Sequence, residues 1–222
     1  MNWGEVIAGA ASILSGAQTL RGALGNVPQS PKRVQRLKGG NIRTNGKAPK
    51  GQIHRVKNID ERVKYIVRMI QKGRSDPRIR ALATQIVSQK CGKKWCIEER
   101  DYSGEVRAVF NWIRSNVRYV KDAIHLDQFQ HPARTLEWGG GDCDDYCITM
   151  GSILQAIGYP IRLRVIQPKG SSDWNHIDLL VGLPPGAPTR WVSLDASVNH
   201  PAGWAPPRRM IKRIKDYEVP VT

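Results

Sequence analysis

The spacing of apolar residues changes character once along this chain, and that change restricts the fold more than any other feature. In the first part the apolar positions recur every three or four residues. They run Val63, Ile66, Val67, Ile70, then Ile79, Leu82, Ala83, Ile86, Val87, then Val106, Val109, Phe110, Ile113, Val117. A period near 3.6 puts such positions on one face of a helix. The spacing predicts a first helix ending near Gly73 and a second opening at Asp76-Pro77, where proline suits the first turn. Residues 91–102 read as a polar loop, and a third helix runs from about Ser103 to Asn116. Gly139-Gly140-Gly141 then breaks the chain, and a fourth helix follows from about Asp142 to Ile157, closed by Gly158 and Pro160. Beyond it, alternation predicts strands over 161–167, 176–182 and 190–195, the last two joined by the run Leu183-Pro184-Pro185-Gly186-Ala187-Pro188. Helices first and strands later predict an α+β fold.

This globular pattern occupies 58–222, and what precedes it divides in two. Residues 1–25 are rich in Ala, Gly and Leu, with a helical stripe at Val6, Ala10, Ile13, Leu14, Leu20 and Leu24. Glu5 and the lack of Lys or Arg at the start argue against a secretory signal, and the small residues predict a helix that docks on a partner. Residues 26–57 carry nine basic residues and no acidic one, punctuated by Pro and Gly. Such a stretch buries too little apolar surface to fold alone and reads as a basic linker or arm. It lacks Phe, Tyr and Trp, so base stacking is not expected, and contact with nucleic acid would be non-specific and salt-sensitive. The whole chain has a net charge of +16, which favours polyanionic partners such as nucleic acid, anionic lipid or acidic cell-wall polymers. With 40% hydrophobic residues it is not a disordered chain, and no stretch approaches the ~18 consecutive apolar residues of a transmembrane span.

Four cysteines in 222 residues are too few for a disulfide-built scaffold and read as core, metal or catalytic thiols. Cys143 opens the fourth helix just after three glycines. There the positive end of the helix dipole favours thiolate, and the unpaired amides of the first turn could bind a developing oxyanion. His176 begins the strand His-Ile-Asp-Leu-Leu-Val, in which Ile177, Leu179 and Val181 point one way and His176 and Asp178 the other. Asp195 ends the strand Arg-Trp-Val-Ser-Leu-Asp. Antiparallel pairing through the 183–189 loop would bring the start of one strand beside the end of the next. Cys143, His176 and Asp195 then supply a nucleophile, its base and the carboxylate that orients the base.

Several strings together carry a family resemblance. They are Gly141-Asp142-Cys143-Asp144-Asp145-Tyr146, Leu154-Gln155-Ala156-Ile157-Gly158-Tyr159-Pro160, His176 on its strand, and Trp191-Val192-Ser193-Leu194-Asp195. Upstream lie Phe110-Asn111-Trp112-Ile113-Arg114-Ser115-Asn116-Val117-Arg118-Tyr119-Val120 and His131-Pro132-Ala133-Arg134-Thr135-Leu136. Over roughly 60–200 the sequence resembles the transglutaminase-like cysteine protease superfamily, most of all its phage- and prophage-borne members. The resemblance implies a papain-like core, with the Cys-bearing helix packed on an antiparallel sheet that bears the His and Asp. It also implies thiol acyl chemistry on a protein or peptide through a thioester, without a cofactor or metal. Amide hydrolysis is the expected outcome; crosslinking, with an amine as acceptor, is the alternative. A second alternative is a structural protein of a phage particle that keeps the fold, docks through 1–25 and neutralises a polyanion through 26–57. Host cytoplasm or the virion is the expected location.

The remaining candidates are less specific. Cys147, where relatives commonly carry a small residue, lies one turn from Cys143 and reads as core packing. Trp174-Asn175-His176-Ile177 departs from relatives that often carry an aromatic after the His. Cys91 and Cys96 bracket Gly-Lys-Lys-Trp; a zinc site would need Cys143 with Cys147 or His200, and Cys143 has a better use. A local disulfide between them is the lesser alternative, open chiefly outside the cytoplasm. His54, His125 and His131 read as surface or capping residues, while Trp138 and Trp174 could line a cleft. Asp144 and Asp145 would oppose thiolate formation unless they point away or pair with an Arg.

Overall fold

A computed structural model describes residues 52–54, 56, 58–121 and 127–221. The small-residue helix expected over 1–25 lies outside these residues, as do most of the basic arm over 26–57 and His125.

Five helices are present among the described residues: α1 (Ile59–Arg74), α2 (Pro77–Val87), α3 (Tyr102–Asn116), α4 (Pro132–Trp138) and α5 (Cys143–Ala156). Each begins at a side chain that takes up a first-turn amide. Asn58 accepts from Glu61 N–H, Asp76 from Arg78 N–H, Asp101 from Gly104 N–H, His131 from Ala133 N–H, and Asp142 from Asp144 and Asp145 N–H. Such caps satisfy donors that the helix itself cannot, typically contributing about 1 kcal/mol each. The first three helices and α5 fall where the spacing predicts them. Short α4 was not foreseen; Pro132 at its start and Gly139 at its end delimit it within a stretch too brief to show a period.

The main sheet is four-stranded and antiparallel, in the order β10-β7-β8-β9. Its strands are β7 (Ile161–Pro168), β8 (His176–Leu183), β9 (Arg190–Leu194) and β10 (Ile211–Val219). β8 pairs with β7 from Ile166↔His176 to Ile161↔Val181, and with β9 from Leu179↔Leu194 to Leu183↔Arg190. The three expected strands are therefore present, and the 183–189 loop does join an antiparallel pair. β10 was not expected. Only its ends, Ile211 and Val219, are buried, and cross-strand ion pairs (Arg162–Glu218 at 2.6 Å, Arg164–Asp216 at 2.9 Å) hold its charged middle to β7.

Three two-strand pairs complete the fold. β2 (Lys90–Cys91) and β3 (Lys94–Trp95) form a hairpin inside the expected polar loop. β4 (Arg118–Tyr119) runs parallel to β6 (Gly140–Gly141). β1 (Gln52–His54) pairs antiparallel with β5 (Asp127–Phe129), so the last residues of the basic stretch join the fold.

The core is built around α5. Every residue from Cys143 to Gln155 is buried, an all-round burial that fits a helix surrounded by others and by a sheet. α5 packs on the sheet in a fixed direction. Cys147 Sγ lies 3.7 Å from Ile177 O near the start of β8. A turn further on, a Cβ at Gly151 would come within 2.9 Å of Ile161 Cδ1, in the row of Val181. Gln155 Nε2 then donates to Val219 O at 3.2 Å, and Val219 pairs with Ile161. The helix thus begins at the end of the sheet where β8 begins.

Candidate active site

Three features of the backbone bring Cys143 to the head of α5. Gly139 closes α4 in the left-handed region at φ 69°, where a side chain would be strained. Gly140 and Gly141 then pair with Arg118 and Tyr119, and a Cβ at Gly141 would lie 2.5 Å from Asp145 Cβ. Asp142, finally, caps the helix through Oδ1, at 2.9 Å from Asp144 N and 3.2 Å from Asp145 N. Those two amides, expected to be open to an oxyanion, are therefore occupied, and Cys143 N–H is the first-turn amide that the cap does not take.

His176 and Asp195 meet as strand pairing requires. Leu194 lies opposite Leu179, so the next residue, Asp195, falls diagonally across from His176. His176 Nε2 is 2.7 Å from Asp195 Oδ2, and both residues are buried. The other carboxylate oxygen, Oδ1, accepts from Ser197 N–H at 3.1 Å and from Ser197 Oγ at 2.6 Å. Ser197 therefore fixes the carboxylate that fixes the ring. Nε2 thus faces the carboxylate, and Nδ1 is the ring nitrogen on the opposite side. Cys147, one turn after Cys143 on α5, lies with its Sγ 3.7 Å from the carbonyl oxygen of Ile177, the residue after His176.

The electrostatics corrects one expectation. Cys143 was expected to favour thiolate through the helix dipole. Burial instead pushes its thiol well above the ordinary value, and Asp142 and Asp144 push the same way while Arg62 opposes them. The dipole is outweighed because the sulfur is out of water and close to two carboxylates. For His176, burial alone would lower the pKa, but the charge and hydrogen bond of Asp195, with Asp178 and Asp144 behind them, raise it on balance. Burial would raise Asp195, yet His176 and Ser197 hold it below the usual carboxylate range. Burial and the neighbouring carboxylates thus favour the protonated thiol, while Asp195 makes His176 a stronger base.

The acids around Cys143 each have partners. Asp144 pairs with Arg62 of α1, its Oδ2 lying 2.7 Å from NH2 and 2.9 Å from Nε. Asp145 turns to Gln130, accepting from its N–H at 2.9 Å and its Nε2 at 2.8 Å. Asp142, Cys143 and Asp144 are the residues among those described whose ligand atoms cluster closely enough to hold a metal. Arg62 and the cap amides already engage the two carboxylates.

Two neighbours of the site carried no role in the sequence reading. Asp178, two residues past His176 on β8, is buried; it accepts from Ser193 Oγ at 2.6 Å through Oδ2, while Oδ1 has no hydrogen-bond partner among the described residues. Burial pushes its pKa up to about 6, against the Ser193 hydrogen bond and the His176 charge. Its place beside His176 in the alternation was the available signal. Tyr119 is the second. Burial raises its hydroxyl, and Cys143, Asp142, Asp195 and Asp144 raise it further, which puts it within the field of the same groups. Trp174 is half-buried against the core, whereas Trp138 is exposed with Arg134 stacked 3.9 Å from its ring.

The cysteines divide in the way that the sequence offered only as the lesser alternative. Cys91 and Cys96 form a disulfide across the β2–β3 hairpin, which removes them as zinc ligands. A chain position in a polar loop gives no sign of the hairpin that brings them together. Cys147 is a buried free thiol in the core, as expected. His131 caps α4, also as expected, and His200 stacks on Trp204 at 4.0 Å.

Residues 96–196 match the family model of the transglutaminase-like superfamily. Among solved structures, the chain is similar to a candidate cysteine protease from Cytophaga hutchinsonii at 17% identity and a TM-score of 0.41, covering 60% of this chain and 42% of that one. It is also similar to a candidate protease from Parabacteroides distasonis at 9% identity and a TM-score of 0.40, covering 61% of this chain and 29% of that one. The chain therefore spans less than half the length of either protein. No curated protein matches it in sequence. No helix among the described residues is long and apolar enough to cross a membrane. The α+β fold, with its Cys-bearing helix α5 packed on the antiparallel sheet, is a transglutaminase-like core, and residues 96–196 form a transglutaminase-like superfamily domain.

Proposed function

We propose that the protein is a thiol-dependent amide hydrolase acting on proteins or peptides, with Cys143 as nucleophile, His176 as general base and acid, and Asp195 as the group that orients His176. The observation that carries this reading is the buried 2.7 Å contact between His176 Nε2 and Asp195, at the end of the sheet where α5 presents Cys143. Packing alone asks for none of these three polar groups.

The chemistry follows from the protonation states. His176 in its neutral form takes the Cys143 proton as sulfur attacks the carbonyl carbon, so the raised thiol pKa is met by proton transfer during attack. The imidazolium, stabilised by Asp195, returns that proton to the departing amine and leaves a thioester. Water, deprotonated by His176, then attacks the thioester carbonyl and releases the acid and the thiol. Cys143 N–H is available as an oxyanion donor. The comparisons give no support to a phage or virion association, and no observation on the site favours an amine over water as acceptor.

The test is hydrolysis of a quenched-fluorescent protein substrate by the full chain, with Cys143→Ala and His176→Ala as controls. Activity lost in both variants, with rapid alkylation of Cys143 in the wild type, supports the reading. Hydrolysis that survives Cys143→Ala would overturn it.

A further inference from the structure

The end of the sheet that carries His176 is bordered by cations without acidic partners. From residue 196 to residue 215 the chain has no Asp or Glu, yet it carries Arg208, Arg209, Lys212, Arg213 and Lys215. Lys215 is paired with Asp60 at 2.6 Å. Arg208, Arg209, Lys212 and Arg213 have no ion pair with an acid among the described residues, nor does Lys169, whose backbone N–H bonds to Met210 O at 2.9 Å. The strand register fixes where they sit. Ile166 pairs with His176 on one side and with Ile214 on the other, while Arg213 lies opposite Gln167, one step beyond that row. Two strand spacings of ~4.8 Å separate β10 from β8, so the β10 backbone in this row lies about 10 Å from that of His176.

Arg213 is held in place. Its Nε donates to Gln167 Oε1 at 2.5 Å, and Gln167 is fully buried. The same Gln167 donates through Nε2 to Ser171 O at 2.9 Å and Ser172 O at 2.8 Å, anchoring the turn that leads into β8. The Arg213 guanidinium lies 5.0 Å from the centre of the Trp174 ring, two residues before His176. Asp173, the acid of this turn, accepts from Ser172 Oγ at 2.9 Å. Edge strands often carry lysines simply to prevent pairing with other chains. An arginine bolted to a buried glutamine and stacked near a tryptophan is more ordered than that role requires.

We infer that this border is a substrate subsite for acidic side chains, so that the protein selects peptides bearing Asp or Glu close to the scissile amide, with Arg213 as the principal contact. The inference rests on the amide-hydrolase reading, since it assigns the substrate class of that same site. A peptide fits better than a nucleic acid because a thiol nucleophile needs a carbonyl to attack. The carboxylates nearest the thiol do not counter the attraction, because Asp142, Asp144 and Asp195 are buried and engaged with cap amides, Arg62 and His176.

The test uses the full chain carrying Cys143→Ala, so that binding is read without turnover. Its affinity is measured for a peptide rich in Asp and Glu and for the Asn and Gln counterpart, with duplex DNA as competitor. The acidic peptide should bind roughly tenfold tighter, as a charge-assisted contact to guanidinium would give. Arg213→Gln should remove most of that difference and Arg213→Lys should keep part of it. Because Arg213 also supports Gln167, the exposed double variant Arg209→Gln/Lys212→Gln gives an independent reading and should weaken the preference. Equal affinity for the two peptides would overturn the inference, as would a preference untouched by both variants. DNA binding that exceeds peptide binding and disappears with Arg213→Gln would overturn it in favour of a nucleic-acid surface. Cleavage is measured separately in the wild type. An Arg213-dependent binding preference with neither peptide cleaved would support the subsite while counting against the hydrolase reading.

Discussion

β8 and β10 both pair with β7 in one sheet, yet they use polar residues in opposite ways. Every residue of β8 is buried, and its polar side chains make short, buried contacts: His176 to Asp195, and Asp178 to Ser193. β10 is exposed along its middle, and its charges meet partners across the strand in contact with water. A polar group out of water is costly unless paired, so its presence on β8 needs a reason beyond solubility, whereas a charge on an edge strand needs none. The difference separates the groups proposed to perform chemistry from those proposed to select what reaches it.

The largest effect should come from β8. His176→Ala should reduce hydrolysis by at least about a thousandfold, because base and acid are lost together. Removing the Arg164–Asp216 pair on β7 and β10 should leave turnover of a neutral peptide nearly unchanged. Steady-state rates on one substrate check both, and equal losses would break the comparison.

Stability should divide in the same way. Leu179 is fully buried at the centre of β8, and Leu179→Ala should cost about 2–5 kcal/mol. Ile214 on β10 is 38% exposed, and Ile214→Ala should cost less than about 1 kcal/mol. Urea titrations of the two variants read the difference directly.

The same contrast explains which elements were legible. β8 was readable because its apolar residues alternate with polar ones, and the strand pair 176–182 and 190–195 placed His176 beside Asp195 before any coordinates were needed. β10 reads Ile-Lys-Arg-Ile-Lys-Asp-Tyr-Glu-Val, and its stabilising partners lie on β7 and α1, which no local pattern reveals. At the site, the three proposed residues were visible as residue types at a helix start, a strand start and a strand end. The height of the Cys143 pKa was not, because it depends on burial. Nor was Asp142's occupation of two amides, which depends on cap geometry. The hairpin that joins Cys91 to Cys96 has two-residue strands and no core, so periodicity could not find it.

Asp178 gives a pH-dependent test. Its folded pKa of about 6 lies above the ordinary carboxylate value of 3.8, so between those limits the folded state binds more protons than the unfolded state. Stability attributable to this group therefore falls as pH rises from about 4 to 6, and the cost is fully present at neutral pH. Asp178→Asn should raise stability at pH 7 on the order of 1–2 kcal/mol and flatten the profile across that window. It should also lower the His176 pKa, since one nearby negative charge is gone, and so move the acid limb of activity to lower pH. A variant that is less stable at pH 7, with the acid limb unmoved, would show that Asp178 is a packing residue and not part of the field acting on His176.

The smallest effect asks whether the two strands are as separate as they look. Arg164 makes two contacts to Asp216, both at 2.9 Å, and the two side chains are 25% and 33% exposed. An ion pair that water reaches contributes at most about 1 kcal/mol, and salt reduces it further. Asp216→Asn should therefore cost less than about 1 kcal/mol, with the loss shrinking as salt is added. Arg164, however, also lies opposite Asp178 in the register, and the two charges attract. Freed from Asp216, the guanidinium could turn toward Asp178 and make up part of the loss. A double-mutant cycle of Asp216→Asn with Asp178→Asn measures this, because the compensation is possible only when Asp178 keeps its charge. If the edge is energetically separate from the interior, the coupling should stay within about 0.5 kcal/mol. A larger coupling would mean that β10's charges reach through Arg164 to the residue beside His176, so that the edge strand helps to set the field at the site as well as the charge of the substrate it admits.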